Sequence, residues 1–243
     1  MKLGRETLGK ELLHSLDTEG FVHIREPMDP DEFETLACRL GHLSLRTDLV
    51  IDAGKAVEEE KIRSRTLVKK RQGVYQPEGL GLHTDRPTEQ VLGWYCVEQD
   101  AVDGALLLVD TKDLADRFSE SELSRLSQIR LTYTIRDPVS HEEQIFYQSL
   151  LSQAPGGLRQ LYYVPWLLPD DCSTEQFAAL HKFAGYLRDK QENALVRVRL
   201  KPGECLFIDN RRCLHGREAL SKHSNRHLIR LYIRTPEDKD DLD

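Results

Sequence analysis

The tripeptide His83-Thr84-Asp85 places an imidazole and a carboxylate two residues apart. On an extended segment residues i and i+2 face the same way, so both side chains can reach one ion. Adding the distant His215, in Cys213-Leu214-His215-Gly216-Arg217, completes a set of two histidines and one carboxylate. That set is the facial triad that holds non-haem Fe(II) while leaving coordination positions open, and open positions are what oxygen chemistry needs. Imidazole and carboxylate donors tolerate the redox change of Fe(II), whereas a thiolate-rich set would favour zinc or an iron–sulfur cluster. Residue types alone leave other uses open. His83 could cap a turn, Asp85 could begin one before Pro87, and His215 could be a satisfied core residue.

A third group follows, Arg226-His227-Leu228-Ile229-Arg230. Read as a strand, it puts Arg226, Leu228, Arg230, Tyr232 and Arg234 on one face and His227, Ile229, Leu231 and Ile233 on the other. On a surface strand the cationic face would simply be solvated; inside a barrel mouth it is an anion site, because guanidinium pairs bidentately with carboxylate. A rise of about 3.3 Å per residue separates Arg226 from Arg230 by roughly 13 Å. That spacing suits two different anionic groups, or one anion and one acidic partner, better than a single carboxylate.

The elements that must position these residues are mostly short strands. Residues 5–18 carry leucines at helical spacing and stop at Gly20, and Phe21–Ile24 reads as a strand. Asp29 caps a second helix that has Pro30 at its first position and closes at Gly41. Residues 46–73 are strongly charged with a weak apolar pattern, and we expect a mobile or substrate-covering loop there, a solvated helix being the alternative. From residue 74 onward period-two runs dominate: 92–98, 105–109, 130–136, 160–164, 195–200, 204–208 and 227–234. Two helical insertions are expected, over 113–125 and 174–191, the second with Phe177, Leu180, Phe183 and Leu187 on one face. The fold class expected is mainly β with flanking helices, a barrel or sandwich with helices packed outside. We expect one domain over 1–243, with a lead-in to about residue 45 and a core over 74–236.

Composition narrows the partners. The 243 residues are 39% hydrophobic and 31% charged, with a net charge of -7. Such a chain is globular, and nothing in its overall field favours nucleic acid or an anionic membrane. No apolar run approaches the length needed to span a bilayer, and the first residues lack the hydrophobic stretch of a signal peptide, so a cytoplasmic protein with a small-molecule partner is expected. The five cysteines, 38, 96, 172, 205 and 213, are odd in number, scattered and without a Cys-x-x-Cys pair, which reads as reduced thiols. Cys213, two residues before His215, reads as a buried strand thiol rather than a ligand or nucleophile.

With these residues in hand, the sequence resembles the TauD/TfdA, or clavaminate synthase-like, family of Fe(II)/2-oxoglutarate-dependent dioxygenases. The resemblance runs through almost the whole chain. It includes Glu19-Gly20-Phe21-Val22-His23-Ile24, Gly81-Leu82-His83-Thr84-Asp85 and Asp103-Gly104-Ala105-Leu106-Leu107. It continues through Lys201-Pro202-Gly203-Glu204-Cys205-Leu206-Phe207-Ile208-Asp209-Asn210, His215-Gly216-Arg217 and Arg226-His227-Leu228-Ile229-Arg230. It implies a double-stranded β-helix, a jelly-roll or cupin-like barrel, with His83, Asp85 and His215 as iron ligands and catalytic residues. It also implies that Arg226, eleven residues after the distal histidine, grips the far carboxylate of 2-oxoglutarate, and that Arg230 falls where some relatives contact an anionic substrate group. Fe(II), 2-oxoglutarate and O2 are the implied cofactor and cosubstrates, and hydroxylation of an unactivated C–H bond is the implied reaction. One departure stands out: Leu106 occupies the slot where relatives commonly place a threonine as a second contact to the cosubstrate.

Candidate substrate contacts are Tyr75, Gln76, Arg86, Trp94 and Tyr95, with Tyr162, Tyr163 and Trp166, because aromatic rings with polar tips commonly line small-ligand sites. Arg230 and Arg234 favour an anionic substrate, and an amino acid or derivative is the class expected. Two other functions use the same residues: a non-catalytic jelly-roll module that binds a carboxylate, and a zinc hydrolase with Glu204 or Glu218 as base. The first would make metal dispensable and the second would leave Arg226 without a role. Oligomeric state is not legible.

Overall fold

Local signals set the lead-in. The computed structural model describes residues 5–50, 77–136, 143–153, 159–221 and 224–235. Helix α1 (Arg5–Glu19) ends at Gly20, whose φ of 78° a side chain would resist. Strand β1 (Phe21–Ile24) follows, then α2 (Pro30–Leu40), opened by a reciprocal cap. The Glu32 amide donates to Asp29 at 2.8 Å and the Asp29 amide donates to the Glu32 carboxylate at 3.0 Å.

The strands after it form two facing antiparallel sheets. β2 (His42–Val50), β3 (Leu80–His83), β4 (Val91–Glu98) and β5 (Leu106–Asp110) come first. Two hairpins follow, β6 (Arg130–Arg136) with β7 (Glu143–Ser149), and β8 (Leu151–Gln153) with β9 (Arg159–Leu161). The barrel is completed by β10 (Val196–Val198), β11 (Cys205–Asp209), β12 (Cys213–Arg217) and β13 (His227–Arg234). One sheet has the order β1-β11-β4-β13-β2 and the other β10-β5-β12-β3, so the chain crosses repeatedly between sheets, as a jelly roll requires.

Alternation along the strands builds three apolar layers. Between the sheets lie Leu92, Trp94, Cys96, Leu206 and Leu228 from one and Leu106, Leu108, Val198 and Cys213 from the other. Val91, Phe207, Ile229, Leu231 and Ile233 face outward beneath Phe33, Leu36 and Leu40 of α2 and Leu12 and Leu16 of α1. Leu82, Val109 and Leu214 face outward from the second sheet, beneath α4 (Glu120–Ser127) and α5 (Thr174–Asn193). Among the described residues no helix is long and apolar enough to cross a membrane.

Several expectations need correction. Residues 46–50 are not loop but the end of β2, paired with β13 from Val50↔His227 to His42↔Arg234. This strand lies at the sheet edge with only Leu49 buried, so its sequence lacks the apolar pattern of a core strand. The remainder of the expected loop, 51–73, lies outside the described residues. The insertion expected over 113–125 is two helices, α3 (Leu114–Arg117) and α4, because extended backbone at Phe118 ends one and Ser119 caps the next. In α5 the buried residues are Ala179, Phe183, Tyr186 and Leu187, while Phe177 is 64% exposed.

Gly216 shows how closely β12 approaches β3. A Cβ there would lie 2.6 Å from the Leu80 carbonyl oxygen, backbone that cannot step aside. Gly216→Ala is therefore expected to destabilise the protein by about 1–3 kcal/mol. In a chain of this size that lowers Tm by roughly 2–4 °C per kcal/mol, measurable in a thermal melt. An unchanged Tm would mean the two strands part more easily than they pack.

Candidate metal centre and anion site

His83 and His215 meet because β3 and β12 are neighbours and these two residues are directly opposed in register. Leu82 and Leu214 point outward, so alternation turns both imidazoles into the barrel, with ring centroids 4.4 Å apart. Asp85 follows β3 on a turn held by Asn210, a buried residue at the end of β11. Asn210 accepts from the Asp85 amide at 2.9 Å and donates to the carbonyls of Arg86 and Glu89 at 3.0 and 2.9 Å. The Asp85 Oδ1 atom lies 3.6 Å from His83 Nε2 and 3.8 Å from His215 Nε2. One donor atom from each of the three residues falls within 4.8 Å of the others.

Protonation suits a cation. The Gly81 carbonyl lies 2.8 Å from His83 Nδ1 and can only accept, so that nitrogen carries a proton, and Nε2 is the ring atom turned toward Asp85. Both ring nitrogens of His215 are buried without a hydrogen-bond partner among the described residues. Burial, then the neighbouring His83, pushes the His215 imidazole down to about 3, against the pull of Asp85, so it is neutral at ordinary pH. Burial pushes the Asp85 carboxyl up, but the Arg230 guanidinium above all outweighs it and holds the group well below the usual carboxylate range. Two imidazoles and one carboxylate, with both nitrogens of His215 buried and without a hydrogen-bond partner among the described residues, fit Fe(II).

Two arginines approach from the other sheet. Arg230, opposite Trp94 on β4, donates from Nη1 to Asp85 Oδ2 at 2.8 Å, while its buried Nε has no hydrogen-bond partner among the described residues. Its guanidinium lies 4.8 Å from the Tyr232 ring centroid, and that of Arg86 lies 5.8 Å from the same ring. Arg226, just before β13, is 2% exposed; its Nε donates to Gln99 Oε1 at 3.1 Å and its Nη2 has no partner among the described residues. Burial pushes this guanidinium down to about 10, which leaves it charged at neutral pH.

The sequence profile described as "Taurine catabolism dioxygenase TauD, TfdA family" matches residues 1–232. The chain belongs to the TauD/TfdA family. A mitochondrial trimethyllysine dioxygenase from Rattus norvegicus is 31% identical over 166 residues, which cover 60% of this chain and 38% of that protein. The match thus takes in well under half the length of that relative. An asparagine oxygenase structure with Fe(II), a hydroxyasparagine and succinate superposes with a TM-score of 0.66 at 18% identity, covering 94% of this chain and 79% of that one. The non-heme iron oxygenase OrfP with Fe and alpha-ketoglutaric acid gives 0.65 at 16% identity, covering 95% and 79%. At those identities the likeness is one of fold.

Around these three residues of the TauD/TfdA chain the remaining candidates separate. Trp94 is buried with its ring 5.1 Å from His215, forming an interior wall, and Trp166 stands 5.3 Å from His83. Tyr95 faces away from the site: it packs on Phe33 and donates to the Met28 carbonyl at 2.9 Å, as its odd position beside Trp94 requires. Tyr163 packs edge-on against Phe183 of the helical layer, and Tyr162 is buried in that same layer. Arg234 does not join the anion site, because it pairs with buried Glu89 at 3.3 Å. Arg86 is exposed at the mouth. Tyr75 and Gln76 lie outside the described residues.

The residues of the competing readings are engaged elsewhere. Glu204 pairs with His23 at 2.9 Å, Glu218 pairs with Arg197 at 3.0 Å, and neither belongs to the metal group. Burial pushes the Cys213 thiol far up, leaving an inert group in the interior. Leu106 is buried between the sheets and offers no hydroxyl. Sequence reasoning did not single out Tyr232, Asn210 or Gln99 for the site. Asn210 closes the Lys201–Asn210 block, and only its long-range partners reveal what it does.

Proposed function

We propose that this TauD/TfdA chain is an Fe(II)- and 2-oxoglutarate-dependent dioxygenase that hydroxylates an unactivated C–H bond of a small, anionic, amino-acid-like metabolite. The observation that carries it is the set of two buried imidazoles and one ionised carboxylate, opposite a separately held, buried arginine with a nitrogen that has no partner among the described residues. His83 Nε2, Asp85 Oδ1 and His215 Nε2 hold the metal. Bound there, Fe(II) with 2-oxoglutarate and O2 supplies the oxidising power, with decarboxylation to succinate and CO2. The chain's own residues bind, orient and exclude water. Trp94, Leu106, Leu108 and Leu228 make a dry interior between the sheets, and Arg226 takes the far carboxylate.

Arg230 serves the substrate. One of its nitrogens is committed to Asp85 and its Nε has no partner among the described residues, so a substrate carboxylate arriving there would share a guanidinium with a metal ligand. Arg86 at the mouth adds a second positive charge. The likeness to an asparagine oxygenase and to a trimethyllysine dioxygenase supports the amino-acid class.

The test is anaerobic. Fe(II) and then 2-oxoglutarate are added to purified apoprotein, and the weak visible band of a keto acid chelated to iron is sought. The band should appear, and admitting O2 with candidate substrates should release succinate. A folded protein that gives no band and consumes no 2-oxoglutarate would sink the proposal and favour a binding module or a zinc enzyme.

A further inference from the structure

We infer that Gln99 is a positioning residue for the cosubstrate: it aims the Arg226 guanidinium at the far carboxylate, and this rests on the function proposed above. Gln99 lies one residue beyond β4, and its amide cannot flip. Its Nε2 donates to the Leu200 carbonyl at 2.9 Å, which turns Oε1 toward Arg226 Nε at 3.1 Å. The same oxygen accepts from the Asp100 amide at 3.0 Å. An arginine side chain is long and rotamer-rich, so an unrestrained one would have to be ordered as the ligand binds. With Nε engaged, the plane of the guanidinium is fixed and its buried Nη2, without a partner among the described residues, remains for an anion.

The surroundings serve the same alignment. Gly104, at φ 82°, leaves room for both side chains: a Cβ there would lie 3.4 Å from Arg226 Cδ and from Gln99 Oε1, and 2.4 Å from Leu220 Cδ2. Asp100 braces the segment that delivers Arg226. One of its oxygens accepts from the amides of Val102 and Asp103, each at 2.9 Å, and the other from the Ser221 hydroxyl and amide at 2.7 and 3.1 Å. Ser224 in turn accepts from the Arg226 amide at 3.2 Å. One turn, Gln99-Asp100, therefore sets both where Arg226 leaves the backbone and how its head is oriented. With Leu106 in place of a hydroxyl, no second donor from that position shares the task.

The variants are Gln99→Leu and Gln99→Met, the second keeping an unbranched stem should the first fold poorly. Affinity is read anaerobically from the visible band, with two probes: 2-oxoglutarate, and 2-oxobutanoate, which has the keto acid but no far carboxylate. Both variants should bind 2-oxoglutarate roughly 10- to 100-fold more weakly, as loss of a hydrogen bond to a charged group implies. They should bind Fe(II) and 2-oxobutanoate as the wild type does. Unchanged 2-oxoglutarate affinity, or an equal loss for both keto acids, would overturn the inference. A wild type with no band would instead overturn the proposed function, and the inference with it.

Discussion

Replacing His215 with alanine is expected to lower Fe(II) affinity by more than about 100-fold while the protein stays folded. Loss of a group that merely supports a metal ligand costs 10- to 100-fold, and here the ligand itself is lost. The fold should survive because the ring makes no hydrogen bond to any described residue. Its contacts are with His83 and Trp94, at ring distances of 4.4 and 5.1 Å. Removing it creates a cavity but also removes two buried, unpartnered nitrogens, and those effects oppose each other. Asp85 keeps its bond to Arg230, so the remaining two donors stay in place. Fe(II) titration and a thermal melt together check this. A variant that binds Fe(II) as tightly as the wild type would end the triad assignment.

Arg226→Ala should have a comparable effect on the other half of the site. Truncating one partner of a buried, hydrogen-bonded charge pair costs about 2–5 kcal/mol, which is roughly 30- to several-thousand-fold in affinity for 2-oxoglutarate. Fe(II) binding should be unchanged, because Arg226 belongs to neither the triad nor its hydrogen bonds. Arg226→Lys should recover only part of the loss, since an ammonium has neither the fork nor an Nε for Gln99. Band titrations of the two variants measure both effects. Equal affinity in wild type and Arg226→Ala would place the far carboxylate elsewhere.

Much of this site was legible in the sequence, for a physical reason: alternation reports which face a strand residue occupies. The two faces of β13 and the buried thiol of Cys213 follow from period two and residue type, whereas Asp85 lies beyond the end of β3 and reaches His83 from a turn held by Asn210. Alternation does not report which residue sits opposite. That Arg230 would meet Asp85 and Arg234 would meet Glu89, each 145 positions away in the chain, depends on sheet order, which no local pattern carries. The same limit hid Gln99 and Asn210, polar residues at strand ends whose use is defined only by distant partners. β2 was missed for a different reason, since an edge strand can keep its ladder while burying a single side chain.

The two halves of the site come from different sheets: both histidines belong to the four-stranded sheet, while Arg230 belongs to β13 of the five-stranded one and Arg226 immediately precedes that strand. Packed sheets sit about 10 Å apart and their interiors yield little. The reach from metal to carboxylate grip is then a ruler cut by core packing rather than by a flexible loop. A keto diacid one carbon shorter or longer than 2-oxoglutarate should fail to engage both ends and bind no better than 2-oxobutanoate. If a longer diacid bound equally well, the ruler would have to stretch, and the sheets with it.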